Sequence, residues 1–394
     1  MGSHEQTTIF QNVLLPLRST NIRRRCPPPG LKLVLEDGTE MRGEAFGADA
    51  PVAGEVVFNT GMTGYVETLT DPSYKGQILV MTYPLVGNYG VPPERPSDSI
   101  DLPYESSRIQ VQGLVVQQYV DEYSHHAASR SLGAWLTADG VPAVFGIDTR
   151  TLTRRLREHG TMRGWLVPET MSLREAQQTA ASVDMESDVF HAVAPNEPIR
   201  YKGGDLNVLA VDVGIKDNIV RSLLNRGTTV VRAPWHANLA ELAADADGIV
   251  IGNGPGDPKD LAELVNQVRG LLGSFDKPIF GICLGNQILS LAAGGDTDKL
   301  PYGHRGVNQP VQDLLTRRCY ITSQNHGYAV QDAALPSDWE PWFVNINDGT
   351  NEGVRSRVRP YFSVQFHPEA NLGPKDTGFL FDDFLRLVGA MTRR

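Results

Sequence analysis

The amino-acid sequence predicts an α/β protein in which a doubly wound, mostly parallel sheet follows a smaller, β-rich α+β domain. From residue 207 onward, short apolar runs typical of buried strands alternate with helical segments, and this alternation is typical of a parallel sheet. The half before it has many strand patterns and few helices. A Pro- and Gly-containing segment with little apolar periodicity separates the two halves, as expected of a linker. The predicted domains are residues 31–190 and 206–394, with the linker at 191–205.

Strand patterns dominate the first predicted domain. An alternating run before the turn pair Asp37-Gly38 predicts a hairpin, and a basic amphipathic segment that ends at Gly160 predicts a helix. The hairpin is predicted at residues 31–40, further strands at 52–60, 78–82 and 109–117, and helices at 132–137, 149–159 and 171–182.

In the second domain, strands and helices are expected to alternate until the last third, where shorter strands precede a terminal helix. Strands are predicted at residues 208–213, 229–232, 246–251, 278–282 and 361–366, and helices at 216–225, 261–272, 288–293 and 377–388. Sites in doubly wound sheets form at the carboxyl ends of strands. Gly254 and Cys283 each follow a predicted strand, so we expect them to share one crevice.

Composition excludes several classes of protein. The chain has 394 residues, a net charge of -10 and 41% hydrophobic residues, which argues against a nucleic-acid binder. No uninterrupted apolar run approaches the ~18 residues of a membrane span.

The cysteines indicate the compartment. The chain has three, Cys26, Cys283 and Cys319, and they form neither a disulfide framework nor a zinc motif. We therefore expect a reducing compartment, the cytoplasm, and no metal. Residues 1–30 are expected to be a disordered extension, with an Arg-rich transit peptide as the alternative.

Cys283 lies between a predicted strand and a predicted helix, with Gly281 two residues before it and Gly285 two residues after. A side chain at such a sharp turn projects above the sheet, and the glycines leave room for it. The positive end of the helix dipole favours a thiolate. The pattern indicates an activated nucleophile, and a buried structural cysteine is the alternative.

A base for this thiol is indicated at His367, which ends an alternating strand and precedes Pro368 and Glu369. Residues two apart on an extended segment point to the same side, so the imidazole and the carboxylate can face one crevice. The carboxylate would fix the imidazole tautomer, and the imidazole would accept the thiol proton. Considered alone, His-Pro-Glu is also typical of a surface turn.

An oxyanion formed at this nucleophile needs backbone donors. The N–H of Leu284, directly after Cys283, is one candidate. The loop from Gly254 to Gly256 can bring a second N–H close, with a plain β-turn as the alternative. A phosphate loop is not indicated, because no Lys-Ser/Thr pair follows.

Residues 205–394 resemble the class I, triad-type glutamine amidotransferase domain in the motifs NGPGDP, FGICLGNQ and QFHPE, which occur in the family's order. The resemblance implies that family's fold for the second domain and Cys283, His367 and Glu369 as its catalytic triad. It also implies hydrolysis of glutamine through a γ-glutamyl thioester, which yields glutamate and ammonia.

The first half resembles the N-terminal domain of carbamoyl-phosphate synthase small subunits in GEVVFNTGMTGYVETLTDPSYKGQILVMTYPLVGNYG and GIDTRTLTRRLREHG, and VDVGIKDNI and TSQNHGYAV extend the similarity. It implies that ammonia passes through a tunnel to a separate large subunit, in a heterodimer or a higher assembly. That subunit would make carbamoyl phosphate from bicarbonate and ATP, for arginine and/or pyrimidine biosynthesis. No cofactor is expected in this chain, whereas ATP and a divalent metal are expected on the large subunit.

The same resemblance implies a glutamine pocket at the interface between the domains. Gln287 lies one helical turn from Cys283 and can reach the same mouth, and Ser73 comes from the first domain. The implied glutamine-binding residues are Ser73, Gly254, Gly256, Leu284, Gln287, Asn325, Gly327 and Tyr328.

The chain departs from the family pattern at Asn286, where the usual motif is CLGHQ. We expect this position to tune the site or to contact the large subunit. Two further hypotheses remain open: a non-catalytic interaction subunit, and a stand-alone cysteine hydrolase such as a γ-glutamyl peptidase.

Overall fold

The computed structural model describes residues 30–96, 99–101, 103–179, 188–371 and 373–392. The extension predicted at residues 1–30 lies outside the described residues except for Gly30, which begins the first strand. The end of the helix predicted at 171–182 also lies outside them. No helix within the described ranges is long and apolar enough to cross a membrane.

The first domain contains nine strands and four helices in its described part. They are β1 (Gly30–Leu35), β2 (Glu40–Ala45), β3 (Val52–Asn59), α1 (Tyr65–Thr70), β4 (Gln77–Met81), β5 (Leu85–Val86), β6 (Gly113–Val115), β7 (Gln118–Tyr119), α2 (Leu132–Ala138), β8 (Ala143–Phe145), α3 (Thr149–His159), β9 (Met162–Pro168) and α4 (Leu173–Thr179).

Seven of these strands close into a barrel in the order β1-β2-β8-β6-β4-β3-β9. Strands β1 and β2 pair antiparallel, which confirms the predicted hairpin. Helix α3 begins where the side chain of Asp148 accepts a hydrogen bond from the N–H of Thr151, and it ends at Gly160 as predicted. The strand predicted at residues 109–117 is wrong in extent, because the N–H of Gln110 bonds the carbonyl of Leu69 at the end of α1 and only β6 joins the sheet.

The second domain is formed by one large sheet and the helices on its two faces. Its elements are α5 (Asp188–His191), β10 (Ile199–Tyr201), β11 (Leu206–Asp212), α6 (Asp217–Leu224), β12 (Thr228–Pro234), α7 (Leu239–Ala243), β13 (Gly248–Ile251), α8 (Ala262–Ser274), β14 (Ile279–Ile282), α9 (Leu284–Ala293), β15 (Thr297–Asp313), β16 (Cys319–Val330), β17 (Trp339–Asn345), β18 (Asn351–Ser356), β19 (Tyr361–Val364) and α10 (Phe379–Thr392).

Ten strands form this sheet in the order β10-β12-β11-β13-β14-β19-β18-β17-β15-β16. Strands β12, β11, β13, β14 and β19 pair in parallel, and this centre confirms the doubly wound fold. The strands beyond β19 pair antiparallel. The expectation of short strands in the last third is wrong for β15 and β16, which are 17 and 12 residues long. The predicted linker contains β10, which pairs with β12 at the edge of the sheet.

Two apolar cores lie on opposite faces of the parallel centre. Helices α8 and α9 contribute Leu264, Val268 and Ile288 to one core, and α6 and α10 contribute Ile219 and Phe384 to the other. Because both faces are covered, the parallel strands are continuously apolar. Their carboxyl ends meet at one edge of the sheet, where the candidate site lies.

Candidate active site at the domain interface

Cys283 occupies the turn between β14 and α9, as the strand–helix pattern predicts. Its backbone has φ 56° and ψ -105°, a conformation that costs a non-glycine residue about 1–3 kcal/mol and persists only where the surrounding structure imposes it. The N–H of Cys283 continues the sheet by donating to the carbonyl of Val364 at 2.9 Å, and the helix begins at the next residue. The thiol therefore lies at the positive end of the α9 dipole.

The flanking glycines let α9 approach the sheet closely. A Cβ atom on Gly285 would overlap the carbonyl oxygen of Ile251 in β13, and one on Gly281 would lie 2.5 Å from the carbonyl oxygen of Gly285. Both positions are far inside the ~3.5 Å separation at which carbon atoms attract. Larger residues at either position would therefore push the strand and the helix apart.

His367 and Glu369 lie on the segment that follows β19. Nδ1 of His367 donates a 2.7 Å hydrogen bond to Oε1 of Glu369, and the same oxygen accepts a 2.9 Å bond from Nζ of Lys216. All three side chains are buried. The N–H of His367 donates to the carbonyl of Ser323, which ties the segment to β16. Because Nδ1 donates to the carboxylate, Nε2 is the nitrogen available as a base, and it makes no hydrogen bond to any described residue.

Charges in this group favour an imidazolium beside a carboxylate. Burial alone would lower the pKa of His367, but the negative charges of Glu369 and Cys283 outweigh it and raise that pKa to about 10. Burial alone would raise the pKa of Glu369, but the positive charges of Lys216 and His367 lower it to about 2.

Cys283 faces a cavity of about 870 Å³ between the two domains, a volume typical of a small-molecule site. The residues implied to bind glutamine all line this cavity together with Cys283. They are Ser73, Gly254, Gly256, Leu284, Gln287, Asn325, Gly327 and Tyr328. Charged side chains of both signs complete the wall, among them Glu55 from the barrel and Lys299 and Arg305 from β15.

The barrel domain reaches the site through the residues that follow α1. Oδ1 of Asp71 accepts a 2.9 Å bond from the N–H of Ser73, and Oδ2 of Asp71 accepts a 2.9 Å bond from the side chain of Asn325. The hydroxyl of Ser73 accepts a 2.9 Å bond from the side chain of Asn253. These bonds place Ser73 at the domain interface.

The first turn of α9 and strand β16 meet beside the thiol. The side chain of Gln287 donates to the carbonyl of Tyr328 at 2.9 Å and to Oε1 of Gln365 at 3.1 Å. The thiol of Cys283 lies 3.6 Å from the carbonyl oxygen of Asn325. The amide of Gln287 is thus held by protein groups at the edge of the cavity.

Asn286 points into the interior instead of towards solvent. Its side chain is fully buried, donates to Oε1 of Gln365 at 3.1 Å and accepts from the hydroxyl of Ser363 at 2.8 Å. The expectation that Asn286 contacts another subunit is therefore wrong. Any influence on the site would pass through Gln365, which also bonds Gln287.

Several polar residues of the site are missing from the sequence-based set. Two of them hold Glu369: Lys216 donates to its carboxylate, and Asn218 donates to its carbonyl at 2.6 Å. The other two link the domains: Asp71 accepts from Asn325, and Asn253 donates to Ser73. Lys216 follows β11, and Asn253 directly precedes Gly254, so both lie at carboxyl ends of parallel strands. A position at the carboxyl end of a parallel strand indicates that a residue can belong to the site. It does not show that Lys216 binds Glu369, which lies 153 residues further along the chain.

Comparisons with known proteins agree with both halves of the fold. The model for the carbamoyl-phosphate synthase small chain, CPSase domain, matches residues 33–166, and the model for glutamine amidotransferase class-I matches residues 209–387. A carbamoyl phosphate synthase small chain from Symbiobacterium thermophilum is 51% identical over 362 residues, which cover 90% of this chain and 97% of that relative. The chain belongs to the carbamoyl phosphate synthase small chain family. This confirms the resemblance seen in the sequence.

Other members of the family differ in length. An arginine-specific small chain from Emericella nidulans is 45% identical, with 93% of this chain and 81% of the relative covered. The multifunctional protein URA2 of Saccharomyces cerevisiae is 46% identical over 95% of this chain but only 18% of its own length. The chain spans 17–21% of the multifunctional relatives that it matches.

Proposed function

We propose that this chain is the glutaminase subunit of a carbamoyl-phosphate synthase. The observation that carries the proposal is Cys283, held in a strained turn at a helix N-terminus and facing a cavity, with the His367–Glu369 pair beside it. Nucleophile, base and orienting carboxylate are the parts that acyl transfer through a thioester requires. Family membership disfavours a stand-alone peptidase.

In the proposed reaction, the Cys283 thiolate attacks the side-chain carbonyl carbon of glutamine. The carbonyl oxygen becomes an oxyanion, for which the N–H of Leu284 and the loop from Gly254 to Gly256 are the proposed donors. His367 donates a proton to the departing nitrogen, the C–N bond breaks, and ammonia leaves a γ-glutamyl thioester. Water then attacks the thioester, His367 accepts its proton, and glutamate leaves as the C–S bond breaks.

The cavity suits a zwitterionic amino acid. Burial alone would raise the pKa of Glu55, but the positive charges of Arg305 and Lys299 outweigh it and hold that pKa below its usual value. Opposite charges therefore lie together in one wall of the cavity. We propose that Ser73 and the seven other cavity residues implied by the resemblance form the glutamine pocket.

Ammonia would pass to a synthetase partner that lies outside these 394 residues and makes carbamoyl phosphate from bicarbonate and ATP. Arginine and/or pyrimidine biosynthesis in the cytoplasm is the proposed setting.

Glutamate release tests this function. The purified chain should hydrolyse glutamine slowly alone and much faster with its large-subunit partner, ATP and bicarbonate. Cys283→Ser should abolish release while the chain still binds the partner, and the exposed Cys319→Ser serves as the matched control. Unchanged hydrolysis in Cys283→Ser would reject the triad. No hydrolysis by the wild-type complex would favour the non-catalytic interaction subunit.

A further inference from the structure

A second group of titratable side chains lies where β15, β16 and β18 come together. It contains His304 from β15, His326 from β16 and Glu352 from β18. All three are buried, and one ligand-type atom from each lies within 4.8 Å of the other two. The rings of the two histidines have centroids 5.0 Å apart. We call these residues the His–His–Glu cluster.

The outer nitrogens of both imidazoles are engaged by oxygen acceptors. Nε2 of His304 lies 2.7 Å from Oδ2 of Asp348, and Nδ1 of His326 lies 2.8 Å from the carbonyl oxygen of Tyr328. Each of these nitrogens must donate, because its partner is an acceptor. Ligating histidines in metal sites are held in this way, with the outer N–H on a carboxylate or a carbonyl and the inner nitrogen free.

The inner nitrogens face other acceptors. Nε2 of His326 lies 3.1 Å from Oε1 of Gln324. The amide of Gln324 is oriented by its NH₂ group, which donates to the hydroxyl of Thr322, and that hydroxyl donates to the carbonyl of Gln309. In the tautomer that donates from Nδ1 to Tyr328, Nε2 of His326 carries a lone pair and faces the oxygen of Gln324, which is also an acceptor.

A second poorly matched contact lies between His304 and Glu352. Its Nδ1 lies 3.5 Å from Oε1 of Glu352, too far for a good hydrogen bond. Nδ1 of His304 and Oε2 of Glu352 are both buried and make no hydrogen bond within the described part of the chain. Buried polar atoms without a partner are rare in folded proteins, and where they occur together they commonly mark the place of a bound ion or water.

We propose that the His–His–Glu cluster binds one divalent transition-metal ion of the zinc type. Its ligands would be Nδ1 of His304, Nε2 of His326 and the carboxylate of Glu352, with Oε1 of Gln324 as the fourth. Two imidazoles and carboxyl or amide oxygens suit zinc, whereas magnesium and calcium prefer oxygen ligands alone. A cation would give the inner nitrogens and the Glu352 carboxylate a bonding partner, and two carboxylates, Glu352 and Asp348, would offset its charge.

The cluster was not visible in the sequence, which predicts no metal in this chain. Its members are separated by 22 and 26 residues and lack the close His or Cys spacing of zinc motifs. The pairing of His304 with His326 in the β15–β16 ladder brings them together. His326 lies between Asn325 and Gly327 of the cavity wall, so a bound ion would brace that wall. The role is structural and involves no step of glutamine hydrolysis.

Metal analysis of the full chain tests the proposal. Free thiols also bind zinc, so the measurement uses a variant with serine at all three cysteine positions beside the wild type. After dialysis against a chelator, Zn²⁺ is titrated, and bound metal is measured by mass spectrometry while Tm is followed. We expect one Zn²⁺ per chain in both proteins and a Tm that rises with Zn²⁺. Substoichiometric binding in the cysteine-free chain would overturn the proposal.

Variants locate the ion. Glu352→Gln and His304→Gln should each lose the bound Zn²⁺ and the Zn²⁺-dependent rise in Tm. The matched control replaces His125 and His126 with glutamine, because these imidazoles are exposed and their ring centroids are 4.4 Å apart. Equal Zn²⁺ content in Glu352→Gln and the control would overturn the proposal. Should the variants fail to fold, Co²⁺ added to the cysteine-free chain decides, since a visible absorption band supports the site and a silent spectrum rejects it.

Discussion

At the scale of single residues, one carboxylate oxygen organises the proposed triad. Oε1 of Glu369 accepts from both Nδ1 of His367 and Nζ of Lys216, at 2.7 and 2.9 Å. The first bond selects the imidazole tautomer, and the second keeps the carboxylate ionised. Lys216, Glu369 and His367 therefore form a buried chain in which each side chain orients the next.

Glu369→Gln should reduce glutaminase kcat on the order of 10²-fold, because the amide keeps the shape of the side chain but loses the charge that stabilises the imidazolium. The KM for glutamine should change little, since Glu369 does not line the cavity. Steady-state glutamate release from the complex measures both constants. Glu340→Gln, an ion-pair residue of β17 bound to Arg355, should behave as wild type. A Glu369→Gln enzyme with normal kcat would contradict this role.

Lys216→Met should shift the pH dependence of the reaction. Burial raises the pKa of Glu369, and Lys216 contributes most to lowering it to about 2. Wild-type Glu369 thus stays ionised at every pH well above 2. Without the lysine its pKa rises, the carboxyl gains its proton at a higher pH, and activity is lost as pH falls through that value. The acid limb of kcat/KM should move to higher pH in Lys216→Met and stay in place in Lys259→Met, whose exposed ammonium binds Asp296. Coincident limbs would contradict the argument.

At the scale of elements, the site depends on how closely α9 can approach the sheet. Helix α9 packs against β13 and β14 through backbone contacts at Gly285 and Gly281. The same approach positions the thiol and Gln287 at the mouth of the cavity. Small residues at these positions are thus a requirement of packing as well as of the turn.

Gly285→Ala should destabilise the fold by about 1–3 kcal/mol, because its Cβ would meet the carbonyl of Ile251. The matched control is Gly270→Ala in α8, where an added Cβ meets nothing within 4 Å. There, alanine should stabilise by about 0.5–1 kcal/mol through helix propensity. Denaturant unfolding gives both free energies. A loss of stability in Gly270→Ala, or none in Gly285→Ala, would refute the close-packing account.

The sequence pattern predicted those strands and helices whose residues are buried or exposed in a regular order. The strand before Cys283 followed from an apolar run, and helix α3 followed from an amphipathic pattern and a terminal glycine. The strand predicted at residues 109–117 was too long. An alternating pattern also occurs in an extended segment whose backbone bonds the end of a helix, as Gln110 bonds Leu69 at the end of α1. Helix α9 was predicted four residues late, since its polar first turn faces the site. Lys216 and the His–His–Glu cluster could not be predicted, because their partners are set by sheet order, which local periodicity does not encode.

At the scale of the whole molecule, the two domains share a buried group of charges. Glu105 of the first domain accepts from the N–H of Asn218 at 3.0 Å and from the guanidinium of Arg221 at 3.3 Å, and it lies 3.7 Å from Nζ of Lys216. Burial raises the pKa of Glu105 to about 7 despite these cations. Because Lys216 also binds Glu369, the contact between the domains is continuous with the proposed triad.

Glu105→Ala should therefore weaken both the fold and the site. Removing one member of a buried charge group typically costs about 3–5 kcal/mol, since the remaining charges lose their compensation. We expect a loss of this order in the free energy of unfolding at pH 8, where Glu105 is ionised, together with a lower kcat for glutamine hydrolysis because Lys216 is less firmly held. Asp383→Ala, which breaks an exposed pair with Arg386, should cost less than about 1 kcal/mol and leave kcat unchanged. If both variants lost the same free energy of unfolding, the buried charge group would contribute no more than an exposed ion pair. If Glu105→Ala were destabilised but kept a normal kcat, the domain interface would not influence the proposed triad.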